Sequence, residues 1–358
     1  MIGIVIPTMN RSDFLIRQLT YYADIGYRHT IYIGDSSKTD HVERVLDTVR
    51  RLQDRVKIAH VKLPGLNDSQ AMSELLHLVR EPYTAFIGDD DFLIPASLEK
   101  CARFLDTHPD FSSAHGVATL CTLGSPGAYG EVTSCGRYEQ RAVEHASAKQ
   151  RLIDYLGNYF VTLFSVHRTQ DFRREMDAAK PMPDKAFREL LPCCLSIIQG
   201  KAKELECLCL IRQAHEQRYL MPDVYDWITS PDWLLSYEVF RDCLAKQLAR
   251  QDGIGVDEAR EVVKQAFWSY LAKALMKQYQ GRYDQDGRKS FSRWRKAARR
   301  VPGLRSLWRK FRSLAPGKEM LPALLRPSFP YHADFMPIYR AITTLPSDLP
   351  GNTGSQPC

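Results

Sequence analysis

No apolar run in the sequence is long enough to cross a bilayer, and no basic leader precedes the short apolar stretch at residues 1–6, which Pro7 stops. The expectation is a protein that neither spans a membrane nor is exported by a signal peptide, and that works in the cytoplasm. Nine cysteines are scattered along the chain without a paired Cys-x-x-Cys pattern. Cys193-Cys194 and Cys207-x-Cys209 lack the partners of a zinc site, so reduced thiols in the core are expected. The strand-to-helix turns lack both Gly-x-Gly-x-x-Gly and Gly-x-x-x-x-Gly-Lys-Ser/Thr, which leaves a dinucleotide fold and a P-loop without support.

What is present is ordinary in bulk and uneven in detail. With 358 residues, 44% hydrophobic and 25% charged, the chain can bury a full core. The formal charge of +7 is concentrated in residues 281–318, which hold thirteen Lys and Arg against two Asp. A basic appendage on a mildly acidic body suggests a contact surface for something anionic.

Ile2-Gly3-Ile4-Val5-Ile6 suits a buried parallel strand, and Pro7-Thr8-Met9-Asn10-Arg11 breaks it. Ser12 is placed to cap a helix with Phe14, Leu15, Leu19 and Tyr22 on one face. Further strands are expected at 30–34, 56–63 and 83–88, with helices between them and Pro95 opening another. Such alternation predicts a parallel sheet covered by helices. Polar residues gather where the strands end: Thr8, Asn10 and Arg11, then Asp35, then Asp89-Asp90-Asp91. In a parallel sheet those ends share one edge, a crevice suited to a metal-bound diphosphate and a nucleoside.

Three adjacent carboxylates repel one another unless solvent or a cation offsets them. Mg2+ and Mn2+ prefer oxygen ligands and reach phosphates through one or two protein carboxylates. The other reading of the triplet is a solvated acidic turn ahead of the helix after Pro95.

Taken together, Ile4-Val5-Ile6-Pro7-Thr8-Met9-Asn10-Arg11, Ile33-Gly34-Asp35-Ser36-Ser37-Lys38-Thr39-Asp40 and Phe86-Ile87-Gly88-Asp89-Asp90-Asp91, with Pro95 and Leu98 following, resemble family 2 of the GT-A glycosyltransferases. The resemblance implies an α/β fold, a Rossmann-like and mostly parallel sheet flanked by helices, here with a helical C-terminal extension. It implies a metal-dependent inverting enzyme acting on a nucleoside-diphosphate sugar. Pro7, Thr8, Asn10, Arg11 and Asp35 would bind the donor, Thr8 and Asp35 facing its base. Asp89 and Asp90 would contact the sugar-nucleotide, and Asp90 and Asp91 would hold Mn2+ or Mg2+. The family usually has Asp-x-Asp-Asp, and here Gly88 stands at the first Asp. The Arg-Asn often found near Ala71-Met72-Ser73 is also missing, so a diphosphate contact is expected elsewhere.

Residues 183–218 are the second informative region. Phe187, Leu190, Leu191, Cys194 and Ile198 share a helical face that stops at Gly200, and a strand at 204–211 leads into His215-Glu216-Gln217-Arg218. Family 2 enzymes carry a catalytic carboxylate before such a helix and a His-x-x-Arg beyond the next strand. By that resemblance Glu189 is the base, His215 a metal ligand and Arg218 a donor contact, with Arg188-Glu189 where Glu-Asp is usual. Glycosyl transfer needs a base for the acceptor hydroxyl and positive charge for the departing diphosphate. Taken singly, Glu189 reads as an exposed helix carboxylate and His215 as a structural histidine. The loop at 124–136 reads as a connection rather than a lid over the donor.

Trp227 and Trp233, near helices expected at 233–249 and 256–280, read as core aromatics. Leu304, Leu307, Trp308, Phe311 and Leu314 share one helical face, with Arg305, Arg309, Lys310 and Arg312 opposite. Such a helix either lies on an anionic membrane surface or packs on the catalytic domain. The organisation expected is a catalytic domain at 1–218, a helical region at 219–345 and a disordered tail at 346–358. Expected partners are a UDP- or dTDP-sugar, a glycan or lipid-linked acceptor in surface polysaccharide synthesis, and the inner face of the cell membrane through 304–314. Nucleic acid is not expected under this reading. The competing reading is a non-catalytic membrane- or nucleic-acid-binding adaptor on the same scaffold.

Overall fold

A computed structural model describes residues 1–215, 223–282 and 319–345. The expectations for Arg218, for the amphipathic segment 304–314 and for the tail 346–358 lie outside the described residues. Nine strands form one sheet: β1 (Ile2–Thr8), β2 (Ile31–Asp35), β3 (Ile58–Lys62), β4 (Tyr83–Phe86), β5 (Phe92–Leu93), β6 (Phe111–Leu123), β7 (Val132–Tyr138), β8 (Val166–Arg168) and β9 (Lys201–Ala214). The order is β3-β2-β1-β4-β8-β6-β9-β5, with β7 paired to β6.

The first four strands in that order are parallel, and α1 (Ser12–Asp24), α2 (Thr39–Leu52) and α3 (Asp68–Leu78) connect them, as the alternating pattern predicts. Alternation along β1 sends Ile4 and Ile6 into the core with Leu15 and Leu19 of α1, and Val5 into a second core with Met72, Leu75 and Leu76 of α3. Both faces are thus covered, which is why these strands read as continuous apolar runs.

Beyond β4 the sheet becomes mixed: β8 is antiparallel to β4 and β6, β9 is parallel to β6, and β5 closes the far edge antiparallel to β9. Helices α4 (Pro95–Thr107), α5 (Ala148–Gly157), α6 (Thr169–Ala179), α7 (Lys185–Gln199), α8 (Val224–Ile228), α9 (Trp233–Asp252) and α10 (Val256–Arg282) complete the body. Leu244 of α9 and Phe267 of α10 share the second core with Tyr155 of α5 and Phe187 of α7. The helix His332–Thr343 returns to the first core through Phe335, Ile338 and Ile342. Among the described residues no helix is long and apolar enough to cross a membrane.

Two expectations need correction and a third holds with a different backbone. Cys121 and Cys135 are not reduced thiols but a disulfide, because the β6-β7 pairing sets them directly opposite, with Cα atoms 4.1 Å apart. Only the register of a hairpin could reveal that pair. Ser12 does not cap α1: Arg11 holds the cap position without a side-chain bond, and the Ser12 hydroxyl meets His41 Nδ1 at 2.8 Å. Gly200 does end α7, but in extended backbone, and glycine is needed because a Cβ there would lie 2.6 Å from the Ser112 amide nitrogen.

Candidate active site

The acidic turn is assembled by the smallest strand. Directly after Asp91, Phe92 and Leu93 pair with Ile211 and Leu210 of β9. That register draws the end of β9 over the turn, more than a hundred residues away in sequence. Arg212 Nε then donates to Asp91 Oδ2 at 2.8 Å, and the Gln213 amide donates to Asp91 Oδ1 at 2.9 Å. His215 Nε2 lies 2.7 Å from Asp90 Oδ2, which Arg11 Nη1 also reaches at 3.2 Å. Thr8 Oγ1 donates to Asp89 Oδ2 at 2.6 Å, and Arg11 Nη2 lies 2.6 Å from Asp89 Oδ1.

Behind the turn, two side chains of α1 hold its backbone. Arg17 Nη2 donates to the Asp90 carbonyl at 2.8 Å, and Gln18 Nε2 donates to the carbonyls of Gly88 at 2.8 Å and Asp91 at 2.6 Å. Arg17 is buried, lies over the Phe92 ring at 4.7 Å, and also donates to the Ala128 carbonyl in the β6-β7 loop. Gln213 Nε2 binds the same loop at the Gly127 carbonyl, 2.7 Å away. The loop is therefore tied back to the turn. At Gly88 a Cβ would stand 2.5 Å from Asp90 Oδ1, so a side chain there would displace the Asp90 carboxylate.

Burial raises the pKa of Asp89 against the pull of Arg11, and raises that of Asp91 against Arg212. Burial would raise Asp90 too, but the His215 hydrogen bond together with Arg11 outweighs it and holds Asp90 below the ordinary carboxylate range. Asp90 is the carboxylate the fold keeps most firmly charged.

Asp35 and Asn10 are engaged elsewhere. Asp35 is buried, with His60 Nε2 at 3.0 Å from Oδ2 and the Ser37 amide donating to Oδ1 at 2.9 Å. Asn10 adopts a left-handed φ of 57°, and its Oδ1 accepts from the Lys38 amide at 2.8 Å, so it ties one turn to the next. Neither residue borders the cavity that Pro7, Thr8, Arg11, Asp90, Asp91 and Glu189 share, and neither do Asp89 and His215.

That cavity, of about 670 Å³, is bordered by Pro7, Thr8, Arg11, Asp90 and Asp91 at one end and by Tyr159 and Glu189 at the other. Phe86, Tyr138 and Phe164 form an aromatic wall between them, with the Arg212 guanidinium 4.5 Å from the Phe164 centroid. Lys185, Arg188 and Lys277 also border it, cations that a departing diphosphate could meet in place of the missing Arg-Asn. A separate hollow of about 760 Å³ between α6, α7 and α9 contains none of the candidate residues. Glu189 accepts from the Tyr159 hydroxyl at 2.9 Å, and burial raises its pKa, offset by that bond and by Arg212.

The donor set decides how a divalent cation would fit. Asp90 Oδ2 is the hard oxygen that Mn2+ and Mg2+ prefer, and His215 Nε2, hydrogen-bonded to it at 2.7 Å, would become a second ligand for Mn2+ only by giving up that bond. Both oxygens of Asp91 are engaged by β9, and among the described residues no group of three metal-ligating side chains gathers. The residues fit a cation whose remaining ligands come from phosphate and water.

Arg17, Gln18, Arg212, Gln213, His60 and Tyr159 escaped the sequence reading. The available signal was charge within an apolar pattern: Arg17 on the face begun by Phe14, and Arg212 directly after Leu208, Cys209, Leu210 and Ile211. A buried charge needs a partner, and two such arginines count against a solvated triplet.

Residues 3–122 match the family described as Glycosyl transferase family 2. No curated protein matches the chain. Similar solved structures include S. aureus TarS 1-349 in complex with UDP-GlcNAc, 12% identical over 79% of this chain and 92% of that one, at a TM-score of 0.45. The mannosyltransferase PcManGT from Pyrobaculum calidifontis, in complex with GDP-Man and Mn2+, is 12% identical over 86% of this chain and 82% of that one, at a TM-score of 0.42. These are likenesses of general outline. The matched segment, a third of the chain, holds β2, β4, most of β1 and the acidic turn, and over it the chain is similar to family 2 glycosyltransferases.

Proposed function

We propose that the protein is an inverting, metal-dependent glycosyltransferase that moves a sugar from a nucleoside-diphosphate sugar to a hydroxyl of a glycan or lipid-linked acceptor. What carries the reading is that Arg11, Asp90 and Glu189 open on one cavity although they come from distant parts of the chain.

The donor diphosphate lies against Arg11 and Asp90, which His215 backs, and Glu189 takes the proton of the acceptor hydroxyl. Attack from the face opposite the leaving diphosphate inverts the anomeric centre. A divalent cation, when bound through Asp90 and His215, supplies positive charge to the leaving group. Asp91 drops out of the metal set and serves instead to clamp β9, while Asp89 aims Arg11. Thr8 orients Asp89 instead of facing a base.

The reading is tested by nucleotide release from UDP-, dTDP- and GDP-sugars with glycan acceptors. Glu189→Gln is expected to lower turnover roughly 10² to 10⁴-fold while donor affinity stays within about twofold. Wild-type turnover in the Glu189→Gln variant would remove Glu189 as the base.

A further inference from the structure

We propose that Tyr159 is the positioning residue of the Glu189 carboxylate, acting through a hydrogen-bond relay that Cys193 completes. The inference rests on Glu189 being the base. Tyr159 follows the end of α5, and its ring is held edge-on by Tyr155 at 5.5 Å and Tyr270 at 5.2 Å between centroids. Its hydroxyl lies 2.9 Å from Glu189 Oε1 and 3.8 Å from Cys193 Sγ, one turn further along α7.

A phenol has one proton to give. With Glu189 charged, the proton goes to the carboxylate, because a charge-assisted hydrogen bond is the stronger. The thiol then donates to the phenol oxygen. Burial lifts the Cys193 thiol to about 11, so it stays protonated and can fill that role. Glu189 Oε1 is thereby fixed, and the other carboxylate oxygen is left to receive the acceptor proton. This is the arrangement a base needs: one oxygen anchored, the other free to react.

The charged and titratable groups facing Glu189 are Tyr159, Cys193, Tyr270, Tyr138, Arg212, Lys185 and Asp68. Arg212 and Lys185 favour its charged form and Asp68 disfavours it, but the Tyr159 hydroxyl is the donor that reaches its Oε1, at 2.9 Å. Removing the phenol withdraws that donor from the anion without touching the cations.

The experiment uses the full chain with glutamate labelled at its carboxyl carbon and followed by NMR against pH. The Glu189 resonance is the one absent from Glu189→Gln. Tyr159→Phe is expected to move the Glu189 midpoint up by about one unit, and to move the acidic limb of kcat/KM up with it while donor KM is unchanged. Cys193→Ala, which keeps the tyrosine, is expected to give a smaller rise in the same direction. An unchanged midpoint in Tyr159→Phe overturns the proposal. Should that variant lose its fold by circular dichroism, an unchanged midpoint in Cys193→Ala overturns it instead. Undiminished turnover in Glu189→Gln would sink the catalytic reading itself, separately from the titration, and Tyr159 would lose its role with it.

Discussion

The two ends of the cavity are built on opposite plans. At the acidic turn every carboxylate is held by two groups, which come from β1, the turn after it and the end of β9. At the other end Glu189 accepts from a phenol set among rings. The difference teaches where charge is stored and where it is tuned. The triplet is neutralised inside the fold and presents Asp90 to the cavity, with His215 bonded to it. Glu189 owes its raised pKa to burial, and its aim to a single hydrogen bond.

The comparison is sharpened most by Glu189→Gln, whose loss of turnover should leave the fold and the donor end intact. It is broken most directly at Arg212. Arg212→Met leaves Asp91 buried with one donor fewer, and a cost of about 3 kcal/mol or more in unfolding free energy is expected. A denaturant titration within about 0.5 kcal/mol of wild type would mean that the triplet is not held by its cations.

A third region shows what a carboxyl with no cation in close contact does in the same molecule. Glu175 on α6 is buried, and its nearest ionisable partner, His167 Nδ1, stands 3.9 Å from Oε2. Burial raises its pKa well above the usual value, so the folded protein keeps its proton after the unfolded chain has lost its own. Stability is then greatest below the unfolded pKa of about 4.5 and falls as pH rises above it. Glu175→Gln should stabilise the protein at pH 8 by about 1 kcal/mol, and the gain should vanish near pH 4. Equal gains at both values would show that the effect is not one of ionisation.

Much of this architecture was legible in the sequence where local pattern and tertiary role coincide. Buried parallel strands need β-branched runs such as Ile2-Gly3-Ile4-Val5-Ile6, and their polar ends mark the ligand edge. What stayed hidden depends on register. A two-residue strand such as Phe92–Leu93 has no periodicity to detect, yet it brings Arg212, Gln213 and His215 to the turn. The Cys121–Cys135 bond and the Asp35–His60 pair likewise exist only through strand pairing. Tyr159 gave no signal because an aromatic near a helix end usually packs, and its hydroxyl finds Glu189 only after α5 meets α7.

The central claim is that Asp90, paired with His215, holds the donor end through a divalent cation. Calorimetric titration of UDP, dTDP and GDP into the wild type and Asp90→Asn, each with and without Mn2+, tests it most directly. The account predicts binding of at least one diphosphate that Mn2+ strengthens, and that Asp90→Asn weakens by roughly tenfold or more while abolishing the metal effect. Binding indifferent to both Mn2+ and Asp90, or no binding of any of the three nucleotides, would contradict it.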